Sequence, residues 1–174
     1  INSPARFKTV PAGRRSGKTE IAKRILVKAS MRGTKFPSPA FFAGAPTRDQ
    51  AKRIWWEDLK ALTPPNAMAG RPSESDLTIW FRNGAKLSVI GMDKPERIEG
   101  TPWDGGVLDE YGNMKAKAWP ENVRPALSDR RGWAWLIGVP EGRNHYYDLD
   151  RKAKADRTGE WASFHWLSAD ILPP

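Results

Sequence analysis

The sequence predicts an α/β domain with a mainly parallel central sheet flanked by helices. Three observations point there. Short apolar runs alternate with amphipathic stretches of helical period along the chain. A glycine-rich turn, Ala12 to Thr19, joins the first apolar run to the first helical stretch. A later apolar run, Gly106 to Leu108, ends in two acids, Asp109 and Glu110. Carboxyl ends of strands beside a strand-to-helix turn are where open α/β sheets bind ligands.

Each element has its own signal. Phe7 to Val10 reads as a first strand running into the glycine-rich turn. Lys18 to Met31 reads as a helix with Ile21, Ala22, Ile25, Leu26 and Ala29 on one face. Ala40 to Ala45 is a buried strand. Thr47 opens a helix, and Gln50 three residues later suggests a capping box. Ala51, Ile54, Trp55, Leu59 and Leu62 form its apolar stripe, and Pro64–Pro65 ends it. Leu77 to Phe81 and Lys86 to Ile90 flank an Asn83–Gly84 pair, the mark of a hairpin. Trp133 to Val139 is another strand, Asn144 to Ala155 a helix, and Trp161 to Leu167 a last strand. A lid or linker is expected to start at about residue 160, with Asp170 to Pro174 within it.

Composition narrows the class. A chain of 174 residues suits one well-buried domain, and no apolar run is long enough to span a bilayer. Cysteine is absent, which excludes disulfides and thiolate metal sites. The two histidines, His145 and His165, stand in no zinc-ligand spacing. A net charge of +9 favours a polyanionic partner, nucleic acid being the usual one, although a basic surface also serves solubility. The nine tryptophans read as core or interface anchors.

The turn Ala12-Gly13-Arg14-Arg15-Ser16-Gly17-Lys18-Thr19 follows the phosphate-loop pattern of glycine, four residues, then Gly-Lys-Ser/Thr, with Ala12 at the first glycine. Its backbone N–H groups are expected to wrap phosphate at a helix N-terminus. Lys18 would reach the terminal phosphates and Thr19 would ligate Mg2+. Asp109 would hold the same ion, and Glu110 would orient or deprotonate a water. Arg14, and less so Arg15, could lie against the γ-phosphate and offset developing charge. A solvated basic turn and a solvated strand end are the bland alternatives. Arg130, Arg131, Arg151, Lys152 and Lys154 are candidate phosphate contacts to DNA, or else merely solvated.

The chain resembles the ATPase domain of the large terminase subunit of tailed bacteriophages. Four stretches carry the resemblance: Gly13 to Thr19; Ala45-Pro46-Thr47-Arg48-Asp49-Gln50-Ala51; Val107 to Met114, continuing through Trp119 to Arg124–Asp129; and Ile137-Gly138-Val139-Pro140-Glu141-Gly142-Arg143-Asn144. The resemblance implies an ASCE-type P-loop fold and ATP hydrolysis with Mg2+ that drives double-stranded DNA into a procapsid. It implies a homo-oligomeric ring of five subunits when assembled, a monomer in isolation, and portal protein and small terminase subunit as partners. The expected place is the host cytoplasm, transiently at the procapsid portal. Arg14 matches the family's phosphate-loop arginine. Arg48 and Arg53 are candidates for an arginine acting on a neighbouring subunit's site. Gly138, Val139 and Pro140 match the coupling motif, but Val139 stands where a hydroxyl residue is usual. Residues 1–174 are expected to form one ATPase domain, with the upstream adenine-contacting segment shortened or missing and the nuclease domain and its activity absent.

Two other readings remain open on the sequence. One is another P-loop DNA motor, helicase or AAA-like, although no further helicase motif is evident. The other is a non-catalytic DNA- or procapsid-binding module with a relic nucleotide site. Intact Lys18, Thr19, Asp109 and Glu110 count against the second.

Overall fold

The computed structural model of the chain describes residues 3–166. Leu167 and the linker expected over Asp170 to Pro174 lie outside the described residues. The elements run β1 (Phe7–Pro11), α1 (Lys18–Arg32), β2 (Ala40–Ala45), α2 (Arg48–Ala51), α3 (Glu57–Leu62), β3 (Thr78–Trp80), β4 (Lys86–Gly91), β5 (Gly105–Leu108), α4 (Arg124–Ala126), β6 (Trp133–Gly138), α5 (His145–Ala155) and β7 (Trp161–Ser163). Among the described residues, seven strands form one sheet in the order β3-β4-β2-β5-β6-β1-β7. Every pairing is parallel except the β3–β4 hairpin.

This order positions the site. β1 and β5 are not neighbours; β6 lies between them, with Val10 beside Ile137 and Leu108 beside Leu136. The glycine-rich loop leaving β1 and the acids leaving β5 therefore flank the end of β6. Parallel strands need crossovers on the sheet faces. α1, α2 and α3 cover one face over Val10, Phe41, Ala43 and Val107. α5 and the irregular segments around Trp103 and Trp119 cover the other over Phe7, Phe42 and Leu136. Gly106 leaves room on that face for the Phe42 ring of the neighbouring strand, because a Cβ there would sit 2.3 Å from it.

Several details differ from expectation. The buried stripe of α1 is Lys18, Ala22, Lys23, Leu26, Val27 and Ser30, while Ile21 is exposed. The stripe is rotated because α3 supplies Asp58, which pairs with the buried Lys23 alongside Glu20. At Thr47 only half of the capping box forms. Thr47 Oγ1 accepts from the Gln50 amide, and the Gln50 side chain meets that same oxygen instead of the Thr47 amide. α2 and α3 are joined by a π-helical turn over Lys52–Trp56. Trp55 and Trp56 are both buried on this turn. Leu77 has φ +50° and precedes the strand instead of beginning it. β7 stops at Ser163. A second π-helical turn, Ala118–Val123, leads into α4 in a region where no regular element was expected. Of the tryptophans, Trp80 is 50% exposed, and Trp55, Trp56, Trp103, Trp119 and Trp135 are core.

Candidate active site

β1 delivers the chain to a loop whose shape is set by two left-handed residues, Arg15 at φ +59° and Gly17 at φ +73°. Alternation of this kind turns successive N–H groups inward and makes an anion-binding concavity. Gly17 caps α1 without any side-chain hydrogen bond, so the first-turn amides keep their donors for a ligand. Ala12 is fully buried and donates its N–H to Gly138 O at 3.1 Å. Lys18 is 7% exposed, with its ammonium donating to Gly13 O at 3.3 Å. Ser16 Oγ is buried and has no hydrogen-bond partner among the described residues. An orphaned buried hydroxyl beside a buried ammonium suits a phosphate oxygen.

The acids stand opposite. Asp109 is 2% exposed; its Oδ2 accepts from Thr19 Oγ1 at 2.8 Å and its Oδ1 from the Glu110 amide at 2.8 Å. Glu110 adopts φ +54°, which swings it out of the strand line. A non-glycine residue pays roughly 1–2 kcal/mol for that conformation. Burial pushes the Asp109 carboxyl up, and the hydrogen bonds from Thr19 and Glu110 with the Lys18 and Lys23 charges offset only part of it. Burial also pushes Glu110 up, reinforced by Asp109 and Glu141 and opposed by Lys18 and Arg14. The adjacent Thr19 hydroxyl and Asp109 carboxylate are hard oxygen donors, and the pair fits Mg2+ better than a softer ion. His145 Nε2 meets Tyr111 O at 3.0 Å and ties the start of α5 to the turn after the acids.

The remaining predicted residues fall into different places. Arg14 and Arg15 are exposed on the loop, and the Arg14 charge is felt at Glu110. Arg48 donates to Ser75 O at 2.6 Å at the start of α2, while Arg53 is exposed on the π-helical turn. Gly138, Val139 and Pro140 follow from the end of β6, and Gly138 touches the phosphate loop through its carbonyl. Arg130 does not fit a free DNA contact. Its guanidinium is 13% exposed and held by Asp104 at 2.6 Å and Ser38 O at 2.8 Å, because Asp104 is buried at the entry to β5, beside Ala40, and needs a counter-charge. Lys154 is tied to Asp150 at 2.7 Å but stays largely exposed. Arg131, Arg151 and Lys152 are exposed.

Two residues that contact the loop escaped the sequence reading. His165 Nδ1 donates to Pro11 O at 2.6 Å, and Trp166 Nε1 donates to Ser16 O at 2.8 Å. His165 also lines a cavity of 230 Å³ with Pro11, Pro140 and Tyr147. Nothing in the local pattern of Trp161 to Trp166 marks either one, since their partners are about 150 positions away.

No family model matches the chain. The large terminase subunit of Thermus phage G20c is 29% identical over 202 residues, an alignment that takes in 98% of this chain and 41% of that protein. The large terminase subunit of Thermus virus P23-45 matches to the same extent. Among solved structures, the large terminase ATPase domain of Thermus phage P74-26 superposes with a TM-score of 0.77 at 24% identity, over 94% of this chain and 76% of that one. The fold is that of a large-terminase ATPase domain. The large terminase of a thermophilic bacteriophage in complex with ADP agrees, with a TM-score of 0.78 at 18% identity over 97% of this chain and 42% of that one. This terminase-like chain thus spans about two fifths of the length of the curated relatives it matches. The separation of β1 from β5 by β6 accords with the ASCE-type P-loop arrangement expected from the sequence.

Proposed function

We propose that the chain is a single Mg2+-dependent ATPase domain and that its hydrolysis drives double-stranded phage DNA into a procapsid. The observation that carries the reading is the meeting of Thr19 Oγ1 with Asp109 Oδ2 at 2.8 Å, beside a loop with a buried lysine and a Ser16 hydroxyl that has no partner among the described residues. Loop amides Gly13 to Thr19 and the Lys18 ammonium hold the phosphates, the Ala12 N–H being already given to Gly138 O. Mg2+, when bound, supplies charge neutralisation on the phosphate oxygens, and Thr19 and Asp109 are the residues to hold it. Glu110 orients the attacking water and takes its proton; the burial that raises its pKa makes its carboxylate a stronger base than an exposed one. Arg14 offsets charge that develops on the transferred phosphoryl group.

The further partners are proposals that rest on the resemblance to large terminases: portal and procapsid, the small terminase subunit and a five-membered ring at the portal. Arg53 suits a role on a neighbouring subunit better than Arg48, whose guanidinium already serves Ser75. Arg131, Arg151 and Lys152 are offered as salt-dependent contacts to DNA phosphates. The test is ATP turnover by wild type and Glu110→Ala with DNA and portal present. Loss of about 10²–10⁴-fold in turnover with ADP binding retained supports the assignment. Equal turnover removes Glu110 as the base. No turnover by either protein favours the binding-module reading. Cutting of plasmid by the pure chain with Mg2+ or Mn2+ would overturn the expectation that it has no nuclease activity.

A further inference from the structure

We propose that His165 and Trp166 are positioning residues, a strap from the segment after β7 that holds the phosphate loop in its anion-accepting shape. The proposal rests on the reading of that loop as a nucleotide site. It goes beyond that reading by assigning the loop's shape to side chains outside the phosphate-loop and acidic motifs.

A peptide unit is planar and trans, so its C=O and the following N–H point to opposite sides. Fixing one therefore aims the other. The unit between Pro11 and Ala12 is held at both edges: Pro11 O accepts from His165 Nδ1 at 2.6 Å, and the Ala12 N–H donates to Gly138 O at 3.1 Å. This clamps the entry to the loop between β6 and the segment after β7. The unit between Ser16 and Gly17 is held at its carbonyl, which accepts from Trp166 Nε1 at 2.8 Å. With that carbonyl drawn toward the indole, the Gly17 N–H is turned to the other side, away from the strap.

The loop needs such an anchor. Arg15 and Gly17 both occupy left-handed backbone, and Ser16 Oγ is buried with no partner among the described residues. A loop with two left-handed residues and a buried hydroxyl unpaired among the described residues gains little from its own contacts. Trp166 is suited to supply the missing constraint because it is half-buried and packs against the core cluster that also contains Ala12 and Val10. The strap thus lowers the ordering cost of binding phosphate, which is the usual way preorganisation raises affinity.

The experiment measures the Kd for ADP with Mg2+ by calorimetry, and KM and kcat for ATP. It uses wild type, Trp166→Phe, His165→Phe and His165→Asn. Trp166→Phe keeps an aromatic ring and removes only the indole donor. His165→Asn keeps an N–H near the Nδ1 position. Trp166→Phe and His165→Phe are expected to weaken ADP about 5- to 10-fold, as loss of one hydrogen bond implies. KM should rise with kcat within about twofold of wild type, because ground and transition states share the loop. His165→Asn should recover most of the loss. Trp166→Phe and His165→Phe both binding ADP within about twofold of wild type would overturn the strap alone. Wild type that binds no ADP would overturn the nucleotide-site reading and the strap with it. If Trp166→Phe fails to fold, the two His165 variants decide, and a His165→Phe protein with wild-type affinity overturns the proposal.

Discussion

Replacing Asp150 should destabilise the domain in a way that depends on what replaces it. Asp150 lies on α5, 6% exposed, against the strand that feeds the phosphate loop. Its Oδ1 accepts from Thr9 Oγ1 and from Ser163 Oγ, each at 2.6 Å, and its Oδ2 pairs with Lys154 at 2.7 Å. One carboxylate thereby joins α5, β1 and β7. Asp150→Ala strands the Thr9 hydroxyl, which is fully buried, and the half-buried Ser163 hydroxyl. An orphaned buried hydroxyl costs about 1–3 kcal/mol, so the two together should cost about 3 kcal/mol. For a domain of this size that is a fall in Tm of about 6–12 °C. Asp150→Asn still accepts from both hydroxyls and loses only the pair with Lys154, which is 57% exposed. That loss should be about 0.5–1 kcal/mol. Urea denaturation followed by circular dichroism separates the two variants. Asp150→Ala within about 1 kcal/mol of Asp150→Asn would refute the reasoning. The pH dependence has a definite sign. Burial would raise the Asp150 pKa, but the bonds from Lys154, Ser163 and Thr9 outweigh it and hold the carboxyl below its ordinary value. A depressed folded pKa stabilises above the unfolded pKa of about 3.9 and is lost as pH falls through the folded value. The stability gap between wild type and Asp150→Asn should therefore be constant near neutrality and shrink in acid.

Arg130→Met should cost about 3 kcal/mol, because it leaves buried Asp104 without its counter-charge while the Thr34 and Ala40 donors remain. Arg131→Met should leave stability within about 0.5 kcal/mol of wild type and weaken DNA retention with a smaller salt slope; denaturation and filter binding together read both. Gly106→Ala should cost about 1–3 kcal/mol by overpacking against the Phe42 ring 2.3 Å away, and the paired Phe42→Leu change should recover part of it in the same melts.

Much of the site was legible in the sequence because its chemistry is local. The phosphate loop announces itself by spacing, since glycine, lysine and threonine must fall at fixed offsets around one strand-to-helix turn. β2 runs over the six residues expected, and Asn144 caps α5 by accepting from the Tyr146 and Tyr147 amides. The errors share a cause. The α1 stripe is rotated toward Lys23 because Asp58, on another helix, pairs with it. Trp56 is buried where its indole meets Glu74, which comes from a separate stretch of chain. Arg130 reads as a surface cation until Asp104, from a separate stretch of chain, is placed beside it.

The sequence by itself singled out the residues proposed for phosphate and metal chemistry and determined that an α/β sheet presents them, because turn glycines and strand ends are encoded by neighbours in the chain. Only the tertiary structure decided that β6 runs between the two motif-bearing strands, that Thr19 meets Asp109, and that His165 and Trp166 grip the loop. Those contacts join residues 90 to 154 positions apart. Such pairings are chosen by the closure of the sheet and the packing of its two faces, and no local pattern of residues records them.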